Sequence, residues 1–163
     1  MLGQISHMSA TSPEVTRGRI LVVEDDPEAA LFAVHVLTKR ARFDVTHTAD
    51  PAVALRLVEA GHWDLVLTDL EMPGMTGLEL LHTLRQVAPA LPVAVVTAHA
   101  PAGMTHTALL SEADAYLSKP VRIDQLISTA TDLIRNGRKT RGTRGEEASG
   151  HGNLPKSPGS EPG

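Results

Sequence analysis

Between Arg19 and Asn136 the chain alternates short, continuous apolar runs with longer stretches in which apolar residues recur every three or four positions. The runs are Ile20-Leu21-Val22-Val23, Leu65-Val66-Leu67 and Val93-Ala94-Val95-Val96. A strand that is apolar at successive positions is buried on both faces, as in a parallel sheet covered by helices on each side. The pattern predicts strands over about 19–23, 44–48, 65–69, 93–97 and 115–119. Helices are predicted over about 27–41, 51–60, 76–88, 102–112 and 122–136. Pro27 and Pro51 suit first-turn positions, with Asp26 and Asp50 as their N-caps. Gly77, Leu80, Leu81, Leu84 and Ala88 form one helical stripe, and Ile123, Leu126, Ile127, Ala130, Leu133 and Ile134 form another. The 102–112 segment has a poor stripe. Strand and helix in strict alternation predict an α/β fold: a three-layer, doubly wound, five-stranded parallel sheet.

The residues that end the strands carry chemistry. The first apolar run leads into Glu24-Asp25-Asp26, the third strand ends at Asp69, the fourth at Thr97-Ala98 and the fifth at Lys119-Pro120. Open parallel sheets build their sites at the carboxyl ends of their strands. An acid cluster, a lone Asp, a hydroxyl and a Lys can together bind a divalent cation, offer a carboxylate nucleophile and neutralise a phosphoryl group. Taken one at a time, each has a plainer role: a helix N-cap, a charge cluster favouring a helix dipole, a solvated lysine. Their joint placement at four strand ends favours a site.

The ordered pieces "VVEDDP", "DLEMPGMTGLELL", "VVTAHA" and "YLSKP" resemble the receiver domain of two-component response regulators. The resemblance spans about Arg19 to Asn136. It implies the flavodoxin-like strand order 2-1-3-4-5, which would bring Asp25 and Asp69 together. It implies that Asp69 is the phosphoacceptor, with Lys119 pairing a phosphoryl oxygen and Thr97 bonding another beside the small Ala98. The implied metal is Mg2+ or Mn2+, held by Asp25, Asp69 and the backbone carbonyl of Glu71, with Glu24 reaching it through water. Glu24 stands where the family more often has Asp. Asp26 keeps its N-cap role.

The resemblance also implies a cis Lys119-Pro120 peptide and a switch in which Thr97 engages phosphate and Tyr116 turns inward. Movement is then expected on the face formed by the 102–112 helix, the last strand and the last helix. Glu71 and His99 fall at positions that tune phosphoryl lifetime in the family, although His99 reads more simply as an exposed polar residue. His47, His62, His82 and His106 show no metal-ligand spacing and read as surface residues. Thr76 replaces an acidic residue common before Gly77, with no loss of phosphorylation expected.

The implied partner is a histidine kinase or a histidine phosphotransfer protein, and a phosphorylation-dependent homodimer is left open. The domain is expected to catalyse only its own phosphorylation and dephosphorylation. Two other readings compete. A haloacid-dehalogenase-type hydrolase carries a second Asp two residues after its nucleophile, where this chain has Glu71, and the length leaves no room for a cap domain. A phosphorylation-independent interaction domain would not require the complete residue set.

Composition narrows the remainder. Residues 18–136 hold nine Lys/Arg against fifteen Asp/Glu, so this unit carries −6 and is a poor nucleic-acid binder. Cys is absent and aromatics are 2%, so the core must be aliphatic and thiolate metal sites are excluded. No apolar run reaches the roughly 18 residues of a membrane span, and the N-terminus lacks a signal pattern, which fits a cytoplasmic location. Residues 1–17 read as a cloning remnant ahead of Met8 plus a loose lead-in, and 18–136 as the domain. Residues 137–163 hold seven of the thirteen glycines and are expected to be a disordered tail or linker.

Overall fold

A computed structural model describes residues 17–99 and 112–143. Strands β1 (Arg19–Val23), β2 (Asp44–Thr48), β3 (Leu65–Thr68), β4 (Val93–Thr97) and β5 (Ala115–Ser118) match the five predicted strands to within a residue. They form one parallel sheet in the order β2-β1-β3-β4-β5, as the resemblance implied. Helices α1 (Pro27–His35), α2 (Pro51–Ala60), α3 (Gly77–Val87) and α4 (Ile123–Thr143) connect and follow the strands. The predicted helix at 102–112 lies outside the described residues except for Glu112, which is helical.

Side chains alternate across each strand, so each strand serves two cores. Leu21, Val23, Val66, Val93 and Val95 face α2 and α3, where Leu80, Leu81 and Leu84 are fully buried. Ile20, Val22, Leu65, Leu67 and Ala94 face the other way, onto Val36, Leu37, Leu126, Ala130 and Ile134. This two-sided burial is why the runs read as continuous rather than alternating.

Local chemistry sets the helix starts. The Asp26 carboxylate accepts from Glu28 N–H at 3.1 Å and Asp50 from Ala52 N–H at 2.8 Å, with Pro27 and Pro51 at the first turn. Thr76 caps α3 in a reciprocal box with Glu79, each side chain accepting from the other's backbone N–H. Thr76 thus has a structural role that comparison with the usual acidic residue did not suggest. Gly77 follows it where a Cβ would run into the Asp69 carbonyl oxygen and the Leu70 Cα. No other residue fits there, because the opposing atoms are backbone.

Two helices differ from expectation. The predicted 27–41 helix is α only to His35 and continues as a π turn over Val36–Arg40, closed by Arg42 at φ 60°. The last helix continues past 136 to Thr143, into the stretch read as tail. Extending a helix that is already packed adds a hydrogen bond for each residue ordered, whereas composition alone weighs only the cost of ordering. Among the described residues no helix is long and apolar enough to cross a membrane.

Candidate functional site

The strand order places the ends of β1 and β3 side by side, with Val23 paired to Thr68. Each next residue is therefore an acid beside an acid. Glu24 N–H bonds the Thr48 carbonyl and Asp69 N–H bonds the Val23 carbonyl at 3.2 Å, extending both strands by one residue. Carboxylate oxygens of Glu24, Asp25 and Asp69 come within 4.8 Å of one another. Glu24 and Asp69 are buried and Asp25 is half-buried. Three hard oxygen donors at this spacing fit a divalent cation of the magnesium class, which prefers carboxylates and water.

Lys119 neutralises part of this charge. Its Nζ donates to Asp69 Oδ2 at 2.6 Å and to Glu24 Oε2 at 2.7 Å. The other oxygens are also held: Asp69 Oδ1 accepts from Glu71 N–H at 3.0 Å and Glu24 Oε1 from Asp26 N–H at 3.0 Å. Burial works against the Lys119 charge, but the bonds to Asp69 and Glu24 outweigh it and raise its pKa above the ordinary value. A raised lysine contributes stability throughout the range below its ordinary pKa and loses it only as pH climbs through the raised value. The Lys119-Pro120 peptide is cis.

Glu24 shows the opposite balance. Burial lifts its carboxyl above the ordinary 4.5; the Lys119 hydrogen bond, the Asp26 N–H and the Lys119 charge pull it back only in part. The folded state therefore holds this proton more tightly than the unfolded chain, and stability falls as pH rises from the ordinary carboxylate range through the raised value. Glu24→Gln is expected to melt a few degrees higher than the parent at neutral pH, with the gain vanishing in acid, where Glu24 is already protonated. Melting curves across pH measure this. A lower melting point at neutral pH would show that the charged pair with Lys119 is worth more than its burial costs.

The remaining expected residues surround this centre. Thr97 is fully buried, yet its hydroxyl donates to the His99 carbonyl at 3.2 Å rather than to Asp69. Ala98 is exposed beside it. Tyr116 is half-buried against the core on the α2–α3 side of the sheet and pairs with Val95 across β4 and β5. Glu71 and His99 are both exposed, and their side chains approach to 3.5 Å across the site. His99 is thus exposed, as its sequence context suggested, but it faces Glu71.

Two contacts had no signal in the sequence. The direct Glu24–Lys119 bond spans 95 positions, and the family pattern suggested only a water-linked metal role for Glu24. His47, read as surface, is exposed on β2 but places its ring Nε2 2.8 Å from the Glu24 carbonyl oxygen, tying the sheet edge to the acid loop. No motif spacing could reveal it, because it depends on the pairing of β1 with β2.

Fold and site together define a class: a doubly wound α/β domain with a carboxylate and ammonium centre at the carboxyl edge of its sheet. The sequence pattern of the response regulator receiver domain matches residues 20–131. This chain belongs to the response regulator receiver family of two-component signalling. Over 119 residues it is 34% identical to the transcriptional regulatory protein TcrA of Mycobacterium tuberculosis, covering 73% of this chain and 47% of that protein. Over 122 residues it is 36% identical to the sensor histidine kinase RcsC of Escherichia coli, covering 75% of this chain and 13% of that protein. The match thus spans half or less of these relatives' length. Among solved structures, the Francisella response regulator 1452 receiver domain is 30% identical with a TM-score of 0.66, covering 74% of this chain and 98% of that one. The Thermotoga maritima response regulator TrrA, solved with Mg2+ and BeF, is 28% identical with a TM-score of 0.64, covering 71% of this chain and 98% of that one.

Proposed function

We propose that this domain is a phosphoacceptor switch in which Asp69 takes a phosphoryl group from a histidine kinase or a histidine phosphotransfer protein. The observation that carries this reading is the pair of hydrogen bonds that Lys119 donates to Asp69 and Glu24 at 2.6 and 2.7 Å, beside the three-carboxylate cluster. That cluster concentrates negative charge where a dianion must approach. Asp25 and Asp69, with the Glu71 carbonyl, would hold Mg2+ or Mn2+, and Glu24 would reach it through water. The bound cation supplies charge neutralisation between nucleophile and phosphoryl group.

An Asp69 oxygen attacks phosphorus and forms the P–O bond of an aspartyl phosphate, while the bond from phosphorus to the donor imidazole nitrogen breaks. The imidazole keeps the electron pair and takes a proton from solvent. Lys119 then moves its hydrogen bond from the Asp69 carboxylate to a phosphoryl oxygen. Thr97 exchanges its bond to the His99 carbonyl for another phosphoryl oxygen, with room left by Ala98. The Tyr116 ring turns into the space that the Thr97 side chain leaves. The kinase supplies the phosphoryl group, so the domain works as a signalling module facing the cytoplasm, and its −6 charge disfavours direct nucleic-acid contact.

The metal assignment has its own test. Asp25→Ala is expected to abolish the rise in melting temperature on adding Mg2+ while leaving the metal-free fold as stable as the parent or more so, because one like charge leaves the cluster. A Mg2+-induced shift equal to the parent's would remove Asp25 from the metal set. The switch is tested by amide exchange with and without beryllofluoride. Altered protection is expected at 97–99 and 112–120 as well as around Asp25 and Asp69. Protection gained at the acids alone would mean that the mimic binds without transmitting anything, and the switch reading would fall.

A further inference from the structure

A cleft of about 320 Å³ opens beside the acid cluster, between α1 and the β5–α4 turn. Its existence is a matter of side-chain size. Ala29 and Ala33 stand one turn apart on α1 and face Val96 and Leu126 across the gap. Alanines cannot span it, so the floor formed by Val22 and Leu67 stays open. The volume is about twice that of an engineered apolar cavity that admits one benzene ring.

The exposed lining residues form the mouth, and they are Asp26, Glu28, Phe32 and Pro120. The charge there is one-sided. Lys119 also lines the cleft, but its ammonium is already bonded to Glu24 and Asp69. Asp26 and Glu28 have no cationic side chain within ion-pair distance among the described residues. In the unphosphorylated chain an anionic ligand would meet this acidic rim, and to reach the lysine it would have to displace Asp69 or Glu24 from it. A ligand with an apolar body and a cationic end would bury the body on the floor and set its charge against Glu28 and Asp26. Phe32 offers an aromatic edge to the body.

We propose that this cleft is a binding site for a two-ring aromatic amine, with its rings between Ala33 and Leu126 and its ammonium against Glu28. The inner end of the cleft meets the metal cluster, since Glu24, Asp69 and Lys119 also line it, but Glu28 at its mouth is not among the carboxylates that converge there. It is independent of the phosphoacceptor reading, because binding requires neither phosphate nor metal.

The test uses the full chain and three probes of one shape. These are 1-naphthylmethylamine, the neutral 1-naphthalenemethanol and the anionic 1-naphthaleneacetate, titrated by calorimetry and by amide chemical shifts. The amine is expected to bind more tightly than the alcohol by about threefold, as for a solvent-exposed charge pair, and the acetate weakest. Shifts should centre on residues 29–33, 96 and 126. Glu28→Gln should remove the advantage of the amine over the alcohol. Ala33→Leu should reduce binding of both by about tenfold or more by filling the cleft. Ala29→Met serves as a second filling variant, and melting curves show that each is folded. Equal binding by the acetate, shifts elsewhere, or full affinity in a folded filling variant would each overturn the proposal. The probe series on the unaltered chain decides the matter even if neither filling variant folds.

Discussion

Incubation with Mg2+ and a small phosphodonor such as acetyl phosphate is expected to add one phosphoryl mass to the chain, on Asp69 alone. The expectation rests on where Asp69 lies rather than on its being an aspartate. It is one residue past the end of a fully buried strand, itself buried, with each oxygen held by a different donor. A carboxylate and a phosphoryl dianion cannot meet here without positive charge. Lys119 supplies one unit, and the cluster with Glu24 and Asp25 is arranged to recruit more. Asp69→Asn is expected to abolish labelling completely, and so is an excess of chelator. Intact-mass measurement reads both. Labelling that survived either would remove Asp69, or the metal, from the mechanism.

Lys119→Ala should be the most destabilising single change at the site, and Mg2+ should reverse most of it. Without the ammonium, Glu24 and Asp69, exposed only 5% and 6%, face one another with no cation between them. Removing one partner of a buried pair typically costs about 3–5 kcal/mol, and the partial exposure of Lys119 places this case near the lower figure. For a domain of this size a loss of about 3 kcal/mol lowers the melting temperature by roughly 10 °C. A divalent cation would refill the charge that was lost, so the rise in melting temperature on adding Mg2+ should exceed the parent's. Melting curves with and without Mg2+ decide it. A metal-free variant as stable as the parent would show that the acids tolerate each other unaided. A Mg2+ response no larger than the parent's would show that lysine and metal do not share the same carboxylates.

Much of this molecule is written in short stretches of sequence. Consecutive apolar residues at 20–23, 65–67 and 93–96 predict strands buried on both faces because each position faces one of two cores. Asp26-Pro27 and Asp50-Pro51 predict helix starts because a cap needs only its own neighbours. The Thr76–Glu79 box is equally local. It shows only when Thr76 is read against the residue three positions on, and comparison with the family's usual residue does not reveal it. The ordered strand-end motifs pointed to Asp25, Asp69, Thr97 and Lys119, and the fold brings the ends of their strands to one edge of the sheet.

What needed the tertiary structure is everything that depends on which strands are neighbours and which way a side chain turns once they are. Pairing β1 with both β2 and β3 sets Glu24 beside Asp69 and His47 beneath the acid loop. Pairing β3 with β4 and β4 with β5 then lets Lys119 reach across 95 positions to Glu24 and 50 to Asp69. The Thr97 hydroxyl turns to the His99 carbonyl, and the last helix runs on to Thr143. The cleft above Leu67 exists only because two alanines of α1 happen to face it. Strand and helix formation are decided by residues within a turn or two, and so can be read along the chain. Charge pairing, burial and cavities are set by residues far apart in sequence whose meeting costs chain entropy that only the whole packed core offsets.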